Sequence, residues 1–587
     1  MSKTHIRFLL SFAVLSAVAA PAALAFQEMP LSCTANSGVP PVVRYQGKAE
    51  LAGEIVLMCL GGTPTPAGTP VPRYTVQIAL DVPSASRVLD PVTRASEALL
   101  IVDESTPTAG TPQQACPLEQ SPCLVNGTGG ISNPYLAPGS YSLFQGRAGT
   151  ASNVIEFPNI PIAPPGVEGI RILRLVNLRA DVSRVPLGDP IPYDFFAQVS
   201  VVGSPSVAVS NDMVRMGYVV KGVNIEARDG ANANVLTAPV NFSSCGLNPS
   251  IGSGVVSGPP QFHVRVAEYL TGTALRTRTG TLWPNADAGA PVAVQNMPGY
   301  LYGATESGFY DPGLPSIGGM NRAGLADSGT RVYVLLDYVP AGVTVWASAY
   351  AAGKTSANSP LRAMQPSSNS YDAGPLQPAP VTNTNAGPLV QFTRSGNLAF
   401  AVFEYTGLTE GGMLPAGWQE TADIAIYLSA PAGSSAGSIV VRSGLGPIMP
   451  LAGGEVNLPQ FVEQVSSIAN VTVGSCVSCR PNLSAAVTSK SGPLTQRNWT
   501  IRVTNRGGCD AGSLQLTGAQ MYKIGFGASP TLQTPVPVNL GPLAAGGSTT
   551  TNLQFAVSPG TIWVSLKLDF KANGLSLPPE YILFQLP

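Results

Sequence analysis

Charge is scarce in this chain of 587 residues. Charged side chains make up only 11% of it, and Lys plus Arg (32) nearly equals Asp plus Glu (33), for a net charge of −1. Such a balance supplies no basic face for nucleic acid or anionic lipid, so neither is expected as a partner. Histidine is scarcer still. Of two residues, His5 sits at the extreme N-terminus and His263, in PPQFHVRVAEYL, is the one imidazole left for a Ser/His/Asp hydrolase. On an alternating segment His263 reads as a strand position rather than a general base. A structural zinc site wants four Cys or His ligands with paired spacing, and only one C-x-x-C is present. The chain also lacks a D-x-D-x-D-G calcium loop. No metal and no cofactor is therefore expected. Past the N-terminus no apolar run approaches the roughly 18 residues of a membrane-spanning helix, so no transmembrane segment is expected in the mature chain.

The N-terminus itself is informative. MSKTHIR places Lys3 and Arg7 ahead of FLLSFAVLSAVAA and a small-residue site at Ala23-Leu24-Ala25. That order is a secretory signal peptide, residues 1–25, with the mature chain starting near Phe26. The expected location is secreted, extracellular or cell surface, with the periplasm as a further compartment.

What abounds is turn chemistry. Gly (63) and Pro (55) together make about a fifth of the chain, well above the roughly 12% of average proteins. They punctuate β-branched segments such as RYTVQIAL (73–80), FFAQVSVV (195–202), RVYVLLDYV (331–339), LAFAVFEY (398–405) and IAIYLSA (424–430). The best helical candidate, 84–104, is interrupted by Pro91, and its ends read equally well as strands. The expected fold class is all-β, built of tandem antiparallel β-sandwich (Ig-like) domains.

Composition suggests boundaries. An N-terminal sandwich is expected over 26–200 and a central β domain over 201–350. A Ser/Pro/Asn-rich linker or long loop follows at 351–388, then the remainder of the central region at 389–470, left open as one domain or two. The last module is expected over 480–587. There, PNLSAAV, WTIRVTNRG, LGPLAAGGSTT and NLQFAV resemble an Ig-like module of the bacterial CARDB and DUF11 type. That resemblance implies a β-sandwich and is poorly specific for function, because such modules serve in adhesins, in stalks and beside catalytic domains. The rest of the chain is similar to uncharacterised exported bacterial proteins in YQGKAELAGEIVLMCLGGTPTPAG (45–68), NVIEFPNIPIAPPGVEGIRILRLVNLRA (153–180) and GLADSGTRVYVLLDYVPAGVTVWAS (324–348), which implies secretion and β architecture.

The cysteines, 8 in all, fit a disulfide framework in an oxidising compartment. Neighbourhood pairs Cys33 with Cys59 and Cys116 with Cys123. If 483–490 and 499–505 form a hairpin, Cys479 faces Cys509, and closing that loop of about 30 residues stabilises by roughly 3 kcal/mol. Cys245 and Cys476 pair by elimination. A redox role for Cys476-Val-Ser-Cys479 would need a helix N-terminus after a strand, whereas a Pro-Asn turn and a strand follow. Gly433-Ser434-Ser435-Ala436-Gly437 matches the G-x-S-x-G elbow in form, but a strand-like SIVVRSG follows where that motif needs a helix.

Paired carboxylates are the remaining route to chemistry. Glu306, Tyr310 and Asp311, with Trp283 nearby in sequence, could form a sugar platform; the competing reading is a Tyr- and Gly-rich connection whose rings pack on a sandwich. No catalytic residue is assigned. Two functions stand open: a secreted noncatalytic structural or adhesion protein of the cell surface, and an exported carbohydrate-active protein using carboxylates of the central region. The expected partner is an extracellular glycan or a cell-surface protein.

Overall fold

A computed structural model describes residues 29–585 apart from 105–113, 131, 187–191, 243–258, 270–308, 312, 356–358, 366–373, 375, 406–419, 431–433, 450–455, 475–480, 508, 525–528, 559–562 and 573–574. Within the described residues the regular structure is β-strand with a few short 3-10 turns and no α-helix. The protein is all-β, and its strands build tandem β-sandwiches around three main hydrophobic cores.

The first unit is one 13-stranded sheet bent over its own core. Strand Arg73–Leu80 shows why it forms: in RYTVQIAL every second side chain is buried, the period-2 pattern of a half-buried strand. Strand Ala95–Val102 differs, since all of ASEALLIV is buried. Ala98, Leu100 and Val102 enter the first core, while Leu99 and Ile101 meet Phe309, Leu314 and Met320 from the central region. A strand covered on both faces reads as a near-continuous apolar run. This strand and Val88–Asp90 form a hairpin across Pro91, which corrects the helical candidate at 84–104.

Two further expectations are corrected. The boundary at 200 falls inside strand Tyr193–Gly203, and Met213–Val220 belongs to the same sheet, so the first unit runs to Val220. The connection 204–212 looks like a junction but carries the short strand Ala208–Ser210 and joins two paired strands. The segment 351–388 is not a bare linker: Leu361–Gln365 pairs with Leu398–Tyr405 and buries Leu361 and Ala363. Its five residues are too few to stand out from the Ser- and Asn-rich flanks.

The second unit packs a six-stranded and an eight-stranded sheet over one core, which joins the strands from Val223 onward to those of 389–473 in a single sandwich. Pairing is mostly antiparallel, with parallel contacts at sheet margins, as where Ser32–Ser37 meets Ala208–Ser210 and Val240–Phe242 meets Ser466–Val473. The third unit packs four strands against five around Trp499, whose ring lies 5.1 Å from Phe555 and 5.8 Å from Phe584. Its hairpin sets Leu483 opposite Asn505, as the sequence suggested.

Disulfides join Cys33 to Cys59, directly opposite one another on neighbouring strands, and Cys116 to Cys123. Cys509 is also disulfide-bonded; Cys245, Cys476 and Cys479 lie outside the described residues.

Candidate functional site: a buried ionic junction

Part of the scarce charge is buried where the first two units meet. Strand Met213–Val220 ends one unit and Val223–Asp229 begins the next, so Lys221 and Gly222 alone connect them. So short a connection forces loops of the two sandwiches together.

On one side the loop after Val42–Arg44 docks against residues 460–464. Lys48 N donates to Gln460 O at 2.8 Å, Val462 N donates to Gln46 O at 2.9 Å, and Gly47 bridges to Phe461. Arg44, fully buried, pairs with Glu50 at 2.9 Å and lies 4.8 Å over the Phe461 ring. Two glycines make room. A Cβ on Gly47 would fall 1.8 Å from Glu50 Oε1, and one on Gly222 would fall 2.1 Å from Arg44 Cγ.

On the other side Glu97 is the hub. Its Oε1 accepts from Arg87 N at 2.9 Å and Arg179 Nε at 2.8 Å, and its Oε2 accepts from Gly324 N of the central unit at 3.2 Å. Arg87 then crosses the boundary: Nη1 donates to Asp327 Oδ1 at 2.8 Å, and Nη2 donates to Arg322 O. Asp327 is fixed in turn by Leu458 N at 2.9 Å. Burial pushes the Arg179 guanidinium below its ordinary range; Glu97 opposes that shift and Arg87 adds to it. Buried charges survive only when paired and hydrogen-bonded, so each arginine holds its carboxylate in one geometry. Chemically this arrangement is a lock.

The residues singled out in the sequence fall as follows. Tyr310 and Asp311 are half-buried at the start of the segment that covers strand Ala95–Val102, beside the buried Phe309 whose carbonyl accepts from Asn177 Nδ2 at 3.0 Å. Asp311 Oδ1 accepts from Gly313 N at 2.8 Å, turning the chain. Glu306 and Trp283 lie outside the described residues. His263 is buried on strand Phe262–Glu268 with Nδ1 3.1 Å from Asp229 O. Ser434 is buried and is followed by strand Gly437–Gly446, not by a helix. Among the described residues no cluster of three His, Cys, Asp or Glu could hold a metal, and no helix is long and apolar enough to cross a membrane.

Sequence reading missed the junction. Arg179 lies 82 residues from Glu97 and Asp327 lies 240 from Arg87, and a lone arginine on a strand looks like a solvated side chain.

A second charged pair lies in the central sandwich. Asp423 accepts from Arg265 Nε at 2.7 Å and from Asn232 Nδ2 at 2.7 Å. Burial alone would raise this carboxyl, but the hydrogen bonds from Arg265 and Asn232 hold it below the usual range. A depressed folded-state value stabilises the fold above the ordinary aspartate range, about pH 4, and that stabilisation is lost as pH falls through the folded-state value. Asp423→Asn is therefore expected to cost on the order of 1 kcal/mol at pH 7, after allowance for partial exposure, and little near pH 2. Urea unfolding at both pH values checks it; an equal deficit at both would refute the pairing as its source.

Neither a family model nor a curated protein matches the chain. Similar solved structures include the C-terminal domain of the Streptococcus pyogenes antigen I/II-family protein AspA, at 8% identity and a TM-score of 0.25 over 76% of this chain and 100% of that one. The C-terminal domain of the Streptococcus agalactiae AgI/II polypeptide BspA shows 8% identity and a TM-score of 0.23 over 75% of this chain and 99% of that one. A BSP domain of a biofilm-associated protein shows 7% identity and a TM-score of 0.16 over 95% of this chain and 66% of that one. At these scores the β-sandwich class rests on the sheets described above.

Proposed function

We propose that this is a secreted, noncatalytic structural or adhesion protein of the cell surface or extracellular space. The observation that carries the reading is the ionic junction: the buried Arg87–Asp327 pair, the Gly324 N–Glu97 hydrogen bond, Arg44 stacked on Phe461 and a two-residue connection hold two sandwiches as one stiff body. Stiffness of that kind serves presentation of a surface more directly than it serves turnover. The N-terminal signal peptide, the disulfides and the near-neutral charge support export to an oxidising compartment. The third unit reads as an Ig-like module of the CARDB or DUF11 type, with a Cys479–Cys509 bridge at its base. Pairing of Asn482 O with Arg506 N at 2.6 Å carries the hairpin toward those two cysteines.

Two measurements test the reading. Small-angle scattering of the full chain is expected to fit one rigid arrangement of the first two units. Gly222→Ala, which drives a methyl group into the Arg44 stem, is expected to cost about 1–3 kcal/mol and loosen them. Incubated with polysaccharides and cells, the chain is expected to be retained without releasing product. Product release that is lost in Glu306→Gln or Asp311→Asn would overturn the noncatalytic reading in favour of a carbohydrate-active enzyme.

A further inference from the structure

The C-terminal module turns an aromatic surface to solvent. In strand Trp563–Ala572, alternation sends Val564, Leu566, Leu568 and Phe570 into the core and leaves Trp563, Ser565 and Lys567 outside. Register then aligns the neighbours on both sides. Ile524 and Gln585 flank Trp563, Tyr522 and Leu583 flank Ser565, and Gln520 and Tyr581 flank Lys567. An outward sheet face is ordinarily polar. Here Trp563 is 44% exposed, Tyr522 41% and Tyr581 62%.

We propose that this face binds the sugar rings of a neutral glycan, which gives the adhesion reading above, on which it rests, a ligand class. Three observations commit it to that occupant. The first is chemical: aromatic rings offer flat apolar surfaces to the C–H faces of pyranose rings, and polar groups stand beside them for hydroxyls. Gln520 and Gln585 lie at opposite corners, and the Tyr522 hydroxyl already donates to Gln520 Oε1 at 2.6 Å, fixing that ring. The second is charge. Lys567 is paired with Asp569 at 3.0 Å, so the face carries no excess charge for an anionic lipid or nucleic acid. The third is size. Three strands at ~4.8 Å and five residues at ~3.4 Å give a platform about 10 Å by 14 Å. That footprint, on the order of 100–200 Å², is well short of the roughly 800 Å² per partner of a stable protein interface, but suits a short run of sugar rings.

Calorimetric titration of the full chain with a soluble β-glucan, a mannan and a galactan tests the proposal, with sedimentation and product analysis alongside. Binding to at least one is expected, weakened roughly tenfold or more in Trp563→Ala and likewise in Tyr581→Ala, as for aromatic anchors generally. Both side chains are exposed, so the unfolding midpoint is expected to stay near that of the parent chain; Ser565→Trp, which adds bulk at the centre, gives an independent block. Binding that survives all three substitutions would overturn the site, as would no binding to any of the three polysaccharides. A dimer in sedimentation that Trp563→Ala dissolves would overturn it in favour of a second copy. Glycan binding accompanied by released sugar would instead defeat the noncatalytic reading while leaving this site standing.

Discussion

Glu97→Ala is expected to cost about 3–5 kcal/mol in the first unit, because it leaves the buried Arg179 without its carboxylate and Arg87 with Asp327 alone. It also removes the acceptor for Gly324 N of the central unit, so the loss crosses the boundary. Urea unfolding of the full chain checks it: the first transition shifts to lower denaturant and separates from the second. Glu97→Gln, which keeps acceptor oxygen but not charge, is expected to fall between. A loss below about 1 kcal/mol for the alanine variant would mean that the pairs are incidental to stability.

The second large effect belongs to the other end of the chain. Trp499→Ala removes the largest side chain of the third core, fully buried between Phe555 and Phe584, and is expected to cost about 3–5 kcal/mol. Because that core shares no residue with the other two, only the third unit's transition should move. Trp499→Phe retains most of the apolar contact and should cost less. Differential scanning calorimetry separates the transitions. A shift of all of them together would show that the third unit does not unfold on its own.

The fold was legible wherever alternation was clean. RYTVQIAL announces a strand because side-chain period and turn residues agree, and the Leu483–Asn505 pairing followed from the spacing of two strand-like segments. It was illegible where a strand is covered on both faces. ASEALLIV carries no alternation because Leu99 and Ile101 meet the segment around Phe309, a contact that no local window contains. The ionic junction was hidden for the same reason, since Arg179 meets Glu97 across 82 residues of sequence. The aromatic face was partly readable: TIWVSLKLDF places Trp563 in phase with Ser565 and Lys567, the outward set. In EYILFQ the apolar run obscures which residues point out, and only pairing with Trp563–Ala572 decides for Tyr581 and Leu583. The carboxylates and aromatics around Asp311 drew attention by composition, yet the described part of that segment is a cover for the first unit.

The connection through Lys221 and Gly222 has a kinetic consequence. Three peptide steps span at most about 10 Å, so Val220 and Val223 cannot part further even when every ion pair has opened. Each docking loop then faces its counterpart at an effective concentration of millimolar or more. Rupture of the junction by force or acid is therefore an intramolecular and quickly reversed event, and the pair of sandwiches heals without a diffusional search.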